Sequence, residues 1–259
     1  MPISFPSRCA RCARLLAHFA RGLLTLAFRF ASYCPARREE AIKQWSARLL
    51  AILNVRVEHS GAPPEAGMIV MNHISWLDVI VLNSLAPSRF VAKAEVARWP
   101  LVGYLCTMGG TLYIERNRKT AARRTNELIA GALLRGERVA VFPEGTTSIG
   151  DRVLRFHAAL LQPAIAATGI VHPVSVQYFD LLLRRSADVS YVDDETLFDS
   201  VWKLLGAIYV VARIDFGAPH AAHGLHRRAL ADGLHQSISR ALQAATPNKE
   251  PETSDRLQA

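Results

Sequence analysis

His73 and Asp78 stand five positions apart in "MNHISWLD", directly behind the apolar run "GMIVM". A short apolar run of this kind reads as a buried strand, and open α/β sheets commonly present reacting groups beyond the C-terminal ends of their strands. On a continuous helix this spacing sets two side chains well apart, so His73 and Asp78 meet only if a turn between strand and helix brings them together. A loop histidine and a first-turn aspartate fit that geometry. A carboxylate bonded to one ring nitrogen fixes the tautomer and leaves the other nitrogen to accept a proton from a substrate hydroxyl near neutral pH. The pair is a Ser-His-Asp triad without its serine. No G-x-S-x-G accompanies it, since Ser148 stands in "TTSIG", so the nucleophile is read as the substrate's own hydroxyl. Taken alone, the stretch reads more simply as a helix N-cap at Ser75 beside an incidental histidine.

It does not stand alone. "MGGTLYIERNRK" closes a strand pattern with Glu115 and Arg116, and "VAVFPEGTTS" closes another with Pro143, Glu144, Gly145 and Thr146. These stretches, in this order, resemble the 1-acyl-glycerol-3-phosphate acyltransferases, the lysophospholipid acyltransferase family. The matching blocks are Asn72, His73 and Asp78; Gly110, Ile114 and Arg116; Phe142, Pro143, Glu144, Gly145 and Thr146; and His172, Pro173 and Val174. The resemblance covers roughly residues 66–180 and implies a single acyltransferase domain with a mixed, mostly parallel central sheet flanked by helices. It implies acyl transfer from an acyl thioester, acyl-CoA or acyl carrier protein, to the free hydroxyl of a lysolipid. His73 is then the general base held by Asp78, with no metal and no bound cofactor. Asn72, Arg116, Glu144, Gly145 and Thr146 are the expected substrate-binding residues. The planar fork of Arg116 suits a phosphate, and Glu144 suits an acceptor hydroxyl.

Two departures bear on the acceptor. Thr147 replaces an arginine frequent in the third block, with Arg152 or Arg155 as substitutes, and His157 and Ala159 replace a lysine and a glycine. "HISWLD", "FVAKAEVARWPLVG" and "FPEGTT" are similar to the bacterial branch that includes ornithine-lipid O-acyltransferases, whose acceptor, a lyso-ornithine lipid, lacks the phosphate. Lysophosphatidic acid is the primary reading and lyso-ornithine lipid the alternative.

The elements that position these residues follow from periodicity. From about Ala66 short apolar runs alternate with helical patterns, the sign of an α/β domain. "GMIVM", "RFVAK", "TLYIE", "RVAVF", "IVHPVSVQY" and "RIDFG" read as strands; "WLDVIVLNSL", "KTAARRTNELIAGALLRG", "HAALLQPAIAAT" and "LHRRALADGLHQSISRALQAA" read as helices. The division expected is residues 1–54 as basic amphipathic helices, 55–245 as the α/β acyltransferase domain and 246–259 as a polar flexible tail.

Of a formal net charge of +9, much lies early: Arg8, Arg11, Arg14, Arg21, Arg29, Arg37, Arg38, Lys43 and Arg48 face only Glu39 and Glu40 within the first fifty residues. "LLAHFARGLLTLAFRFASYC" is broken by His18, Arg21 and Arg29, so it offers neither a spanning helix nor a clean secretory core. On a helical wheel Arg14, His18, Arg21 and Arg29 share one sector and apolar residues fill the rest, the pattern of an interfacial helix. Each basic residue near an anionic leaflet adds on the order of 1 kcal/mol. Anionic membrane lipids are therefore the expected partner, at the cytoplasmic face of a bacterial inner membrane. "EEAIKQWSARLLAIL" is a second amphipathic helix, placed to pack on the first.

Other classes fit poorly. "GTTSIGDR" has P-loop glycines but Asp151 and Arg152 where lysine and a hydroxyl residue are required. The basic residues lie on an apolar-faced helix without the interleaved aromatics of a nucleic-acid platform. Cys9 and Cys12 form a CxxC without a second pair, and His220, His223 and His226 have no acidic or cysteine neighbour. The alternative of another class is a membrane-bound thioesterase or lysolipid hydrolase using the same His and Asp on water.

Overall fold

The computed structural model describes residues 4–114, 119–167, 169–192 and 195–245. The chain opens with two helices, α1 (Phe5–Phe28) and α2 (Pro35–Ile52), followed by β1 (Val55–Ser60), β2 (Gly67–Met71), α3 (Leu77–Leu85) and β3 (Arg89–Lys93). Next come α4 (Val102–Met108), β4 (Leu112–Ile114), α5 (Lys119–Leu134), β5 (Arg138–Val141), α6 (Gln162–Ala167) and β6 (Ile170–Phe179). The chain then forms α7 (Leu197–Gly206), β7 (Val210–Phe216), β8 (His220–Ala221) and α8 (Arg227–Ala245). The strands form one sheet in the order β1-β7-β6-β2-β5-β3-β4, with β8 paired to β6. Neighbours run parallel except β7 and β8, which lie antiparallel to β6, so the sheet is mixed and mostly parallel.

Strand β2 lies between β5 and β6, and every one of its residues is buried. Successive side chains point to opposite faces: Ile69 and Met71 join one core, Met68 and Val70 the other. The first core is closed by Leu15 of α1, Leu49 and Leu50 of α2, Leu77, Val81 and Leu82 of α3, and Leu204 and Leu205 of α7. The second is closed by Ile129 and Leu133 of α5, Ala164 of α6, and Leu230, Leu234 and Ile238 of α8. Two helical layers thus sandwich the sheet. Because α2 buries Leu49, Leu50 and Leu53, residue 54 does not divide the core.

Four elements lie outside the expected set: β1, α4, α7 and the two-residue β8. Strand β1 alternates Val55 and Val57 with Arg56 and Glu58, and its polar residues are tolerated because it is the sheet edge, paired only to β7. Helix α4 is short, and α7 starts at Thr196, whose hydroxyl accepts from Asp199 N at 3.2 Å and donates to Asp199 Oδ2 at 2.6 Å. The expected helix over 157–168 is a 3-10 turn, Ala158–Leu161, running into α6, where Pro163 sits in the first turn and its missing N–H leaves no bond unmade.

Helix α1 departs from the expected wheel at two positions: it ends at Phe28, so Arg29 is its cap and lies off the helix, and His18 is not solvated. Arg14, Arg21 and Arg29 are exposed, but His18 is buried, stacked on Trp45 of α2 at 4.9 Å with its Nε2 3.1 Å from Trp45 O. A flat ring on the edge of the polar sector fills the seam between the two helices, and burial lowers its pKa. Gly22 admits the same indole, since a Cβ there would lie 2.6 Å from Trp45 Nε1. The opposite side of α1 keeps Phe5, Leu16, Leu24 and Phe28 largely exposed. No helix among the described residues is long and apolar enough to cross a membrane. Glu115, Arg116 and the tail from Thr246 lie outside the described residues.

Candidate active site

Parallel pairing of β2 with β5, with Val70 opposite Val141, places the segments that follow each strand side by side. After β2 the chain turns through Asn72 to Trp76 before α3 begins, and the turn from Ser75 to Asp78 is closed by Asp78 N donating to Ser75 O at 3.1 Å. This turn answers the five-residue spacing: His73 Nδ1 lies 2.8 Å from Asp78 Oδ2. The same oxygen accepts from Ile74 N at 2.7 Å and Ser75 N at 3.0 Å. Asp78 is 0% exposed, while the His73 side chain keeps 20% of its surface. The ring's Nδ1 faces the carboxylate, and its Nε2 has no partner among the described residues.

The imidazole lies flat on Phe142, the residue after β5, with ring centroids 4.0 Å apart and planes 14° from parallel. Phe90 of β3 continues the stack at 5.9 Å. Glu144, 4% exposed, accepts from His73 N at 2.8 Å through Oε1 and from Leu154 N at 3.0 Å through Oε2. Burial pushes its carboxyl up to about 7, against the pull of those two N–H donors and of His73. Gly145 makes the turn here at φ 71°, its N–H bonding Phe142 O at 3.1 Å. Ser148 N donates to His73 O at 2.9 Å, and His157 N to Pro143 O at 2.8 Å, so the chain beyond β5 wraps back over the histidine turn. Arg152 and Arg155 are exposed along that wrap, and Thr146 is exposed next to Gly145.

On the other side, β6 holds the same turn. Beyond the Met71–Val174 pair the Asn72 side chain continues the ladder, Nδ2 donating to Val176 O at 3.0 Å and Oδ1 accepting from Val176 N at 2.8 Å. Two residues further, Tyr178 donates its hydroxyl to Asp78 Oδ1 at 2.7 Å. Burial, then the charge of Asp78, push the phenol well above its ordinary value of 10. Sequence reading passed over Tyr178; the available signal is its alternation with Val174 and Val176, which puts a polar tip on a core face. Asn72, His73, Asp78 and Glu144 are thus brought together, and Ser75, read alone as a cap, forms no side-chain bond at the start of α3.

The Acyltransferase family matches residues 54–177, the stretch from just before β1 to near the end of β6. The lyso-ornithine lipid O-acyltransferase of Pseudomonas aeruginosa is 35% identical over 247 residues, 88% of this chain and 93% of that protein. The chain belongs to the acyltransferase family. Among its relatives the 1-acyl-sn-glycerol-3-phosphate acyltransferase of Neisseria meningitidis serogroup B is 34% identical over 209 residues, 79% of this chain and 82% of that protein. The crystal structure of the 1-acyl-sn-glycerophosphate acyltransferase of Thermotoga maritima superposes with a TM-score of 0.68 over 94% of this chain and 99% of that one; at 19% identity this likeness speaks to the acyltransferase fold alone.

Proposed function

We propose that this acyltransferase moves a fatty acyl chain from acyl-CoA or acyl carrier protein to the free hydroxyl of 1-acyl-glycerol-3-phosphate, forming phosphatidic acid. The observation that carries the reading is the His73–Asp78 pair at 2.8 Å, with the Nε2 edge of the imidazole open. Nε2 takes the proton of the acceptor hydroxyl as its oxygen attacks the thioester carbonyl. The tetrahedral oxyanion then collapses, the C–S bond breaks, and the departing thiolate takes the proton back from the imidazolium. Asp78 fixes the tautomer and stabilises the imidazolium between those events. General base action of this kind supplies about 10² to 10⁴ in rate.

Asn72 and Glu144 act one step back, since both polar atoms of each are bonded to main chain, Asn72 to Val176 and Glu144 to His73 and Leu154. Arg116, which comes in sequence just after β4, is the proposed partner of the acceptor phosphate through its planar fork. Gly145 and Thr146 form the adjoining turn, with Arg152 and Arg155 as further anion contacts. One observation favours lyso-ornithine lipid as the second reading: Thr147 donates its hydroxyl to Tyr191 O, so that position offers a phosphate no cation.

Attachment is read as in-plane, at the cytoplasmic face of a bacterial inner membrane. The outward Phe5, Leu16, Leu24 and Phe28 of α1, edged by Arg14 and Arg21, suit an anionic interface.

The test is acyl transfer by the purified protein in mixed micelles, with lysophosphatidic acid, lyso-ornithine lipid or no acceptor, alongside His73→Ala. Phosphatidic acid formation abolished by the substitution supports the proposal. Preference for lyso-ornithine lipid moves the acceptor, fatty acid release without acceptor makes the protein a hydrolase, and activity surviving His73→Ala removes His73 as base.

A further inference from the structure

The Asp78 carboxylate is served unevenly. Oδ2 accepts from His73 Nδ1, Ile74 N and Ser75 N, all within five residues of Asp78 itself. These bonds fix the carboxylate relative to its own turn. Oδ1 receives its bond from Tyr178, one hundred positions away on β6, which is paired to β2 on one side and to β7 on the other. Tyr178 is 3% exposed and Asp78 0%, so the bond between hydroxyl and carboxylate is made away from bulk water. The phenol keeps its proton at any working pH, which makes Tyr178 the donor and Asp78 the acceptor.

We propose that Tyr178 is a positioning residue of the acyl-transfer site, anchoring Asp78 to the sheet and setting how firmly the carboxylate holds the His73 imidazolium. The proposal rests on the reading of His73 as general base. A carboxylate sharing its charge with a phenol attracts an imidazolium less than one whose second oxygen is bare. Tyr178→Phe keeps the ring and removes the donor. The bared Oδ1 then draws the positive imidazolium more strongly, and His73 stays protonated to higher pH, where it cannot act as base. The carboxylate also loses its tie to β6, so the base is aimed less well at the acceptor hydroxyl. Among the described residues, the ionisable groups facing His73 are Asp78 from α3, Glu144 from the turn after β5 and, through Asp78, Tyr178 from β6.

The experiment compares the full-length protein and Tyr178→Phe in mixed micelles with the acyl donor and acceptor of the proposed reaction, measuring kcat and both KM values against pH together with melting temperature. The expected result is a kcat lower by about tenfold, KM values within about twofold, and an acid limb moved to higher pH. Running the same pair on a Glu144→Gln background removes the titration of Glu144, and the displacement of the limb persists. Superimposable pH profiles, or a loss that follows melting temperature alone, overturn the proposal. An Asp78→Asn background leaves no buried carboxylate to strand, so the comparison holds even if Tyr178→Phe alone is poorly folded. If Tyr178 acts through Asp78, adding Tyr178→Phe there costs less than about twofold, and an independent tenfold loss refutes the coupling. Should His73→Ala remain active, the base assignment fails; should it be dead while Tyr178→Phe is silent, only the role of Tyr178 fails.

Discussion

Glu144→Gln separates the stability of this acyltransferase from its activity. In the folded protein Glu144 is 4% exposed and its carboxyl is pushed from its ordinary 4.5 up to about 7, burial being the leading cause. The folded state therefore takes up a proton in a range where the unfolded chain has already lost it. The sign follows from linkage: the contribution of Glu144 is fully present below about 4.5 and is lost as pH rises through about 7. At about 1.4 kcal/mol per pH unit, the gap corresponds to about 3 kcal/mol. Glutamine carries no charge to desolvate, but it has one acceptor oxygen for the two N–H groups of His73 and Leu154 that Glu144 now serves. Leaving one buried N–H unmet costs about 1–3 kcal/mol at every pH. In urea unfolding followed by tryptophan fluorescence, the variant is expected to be less stable than wild type at about pH 5. It gains on wild type by about 3 kcal/mol toward about pH 8.5. Its kcat falls throughout, because the clamp on the His73 turn is half undone. A stability difference that stays constant across that range refutes the reasoning.

Asp78→Asn replaces the carboxylate with a group that accepts through one oxygen only and presents an N–H₂ where a donor now points, so kcat is expected to fall at least about 10²-fold in the acyl-transfer assay. Asn72→Ala strands Val176 N and O and unzips the end of the β2–β6 ladder; calorimetry should show a loss of about 2–4 kcal/mol, with activity falling as well. Leu16→Ser combined with Phe28→Ser should leave the melting temperature unchanged, since both side chains point outward, while co-sedimentation with vesicles containing anionic lipid declines. Undiminished sedimentation would count against attachment through α1. Point changes are the right tool there, because removing residues 1–54 also removes Leu49, Leu50 and Leu53 from the core.

The strands that build the site were legible because their signal is local. "GMIVM" and "RVAVF" are almost wholly apolar, as strands buried between two helical layers must be, and polar residues follow directly beyond them. Strand β1 was not legible, because four of its six residues are polar and its edge position is a property of the assembled sheet. His18 was misplaced on the solvated sector of α1 because a helical wheel knows the angles of one helix and nothing of the neighbour; Trp45 of α2 turns that sector's edge into a packed seam.

By itself the sequence singled out His73 and Asp78 as a candidate pair, the order of the blocks and the α/β alternation, since each depends on residue types at fixed short spacing. Only the tertiary structure decided what surrounds His73. Asn72 meets Val176 and Asp78 meets Tyr178 across about one hundred residues, and Glu144 meets the backbone of His73 across 71, contacts created when β2 is laid between β5 and β6. The physical reason is that a side chain's role depends on which partners its polar atoms find once water is excluded. The backbone bonds that Asn72 and Glu144 make exist only after the sheet has closed over them.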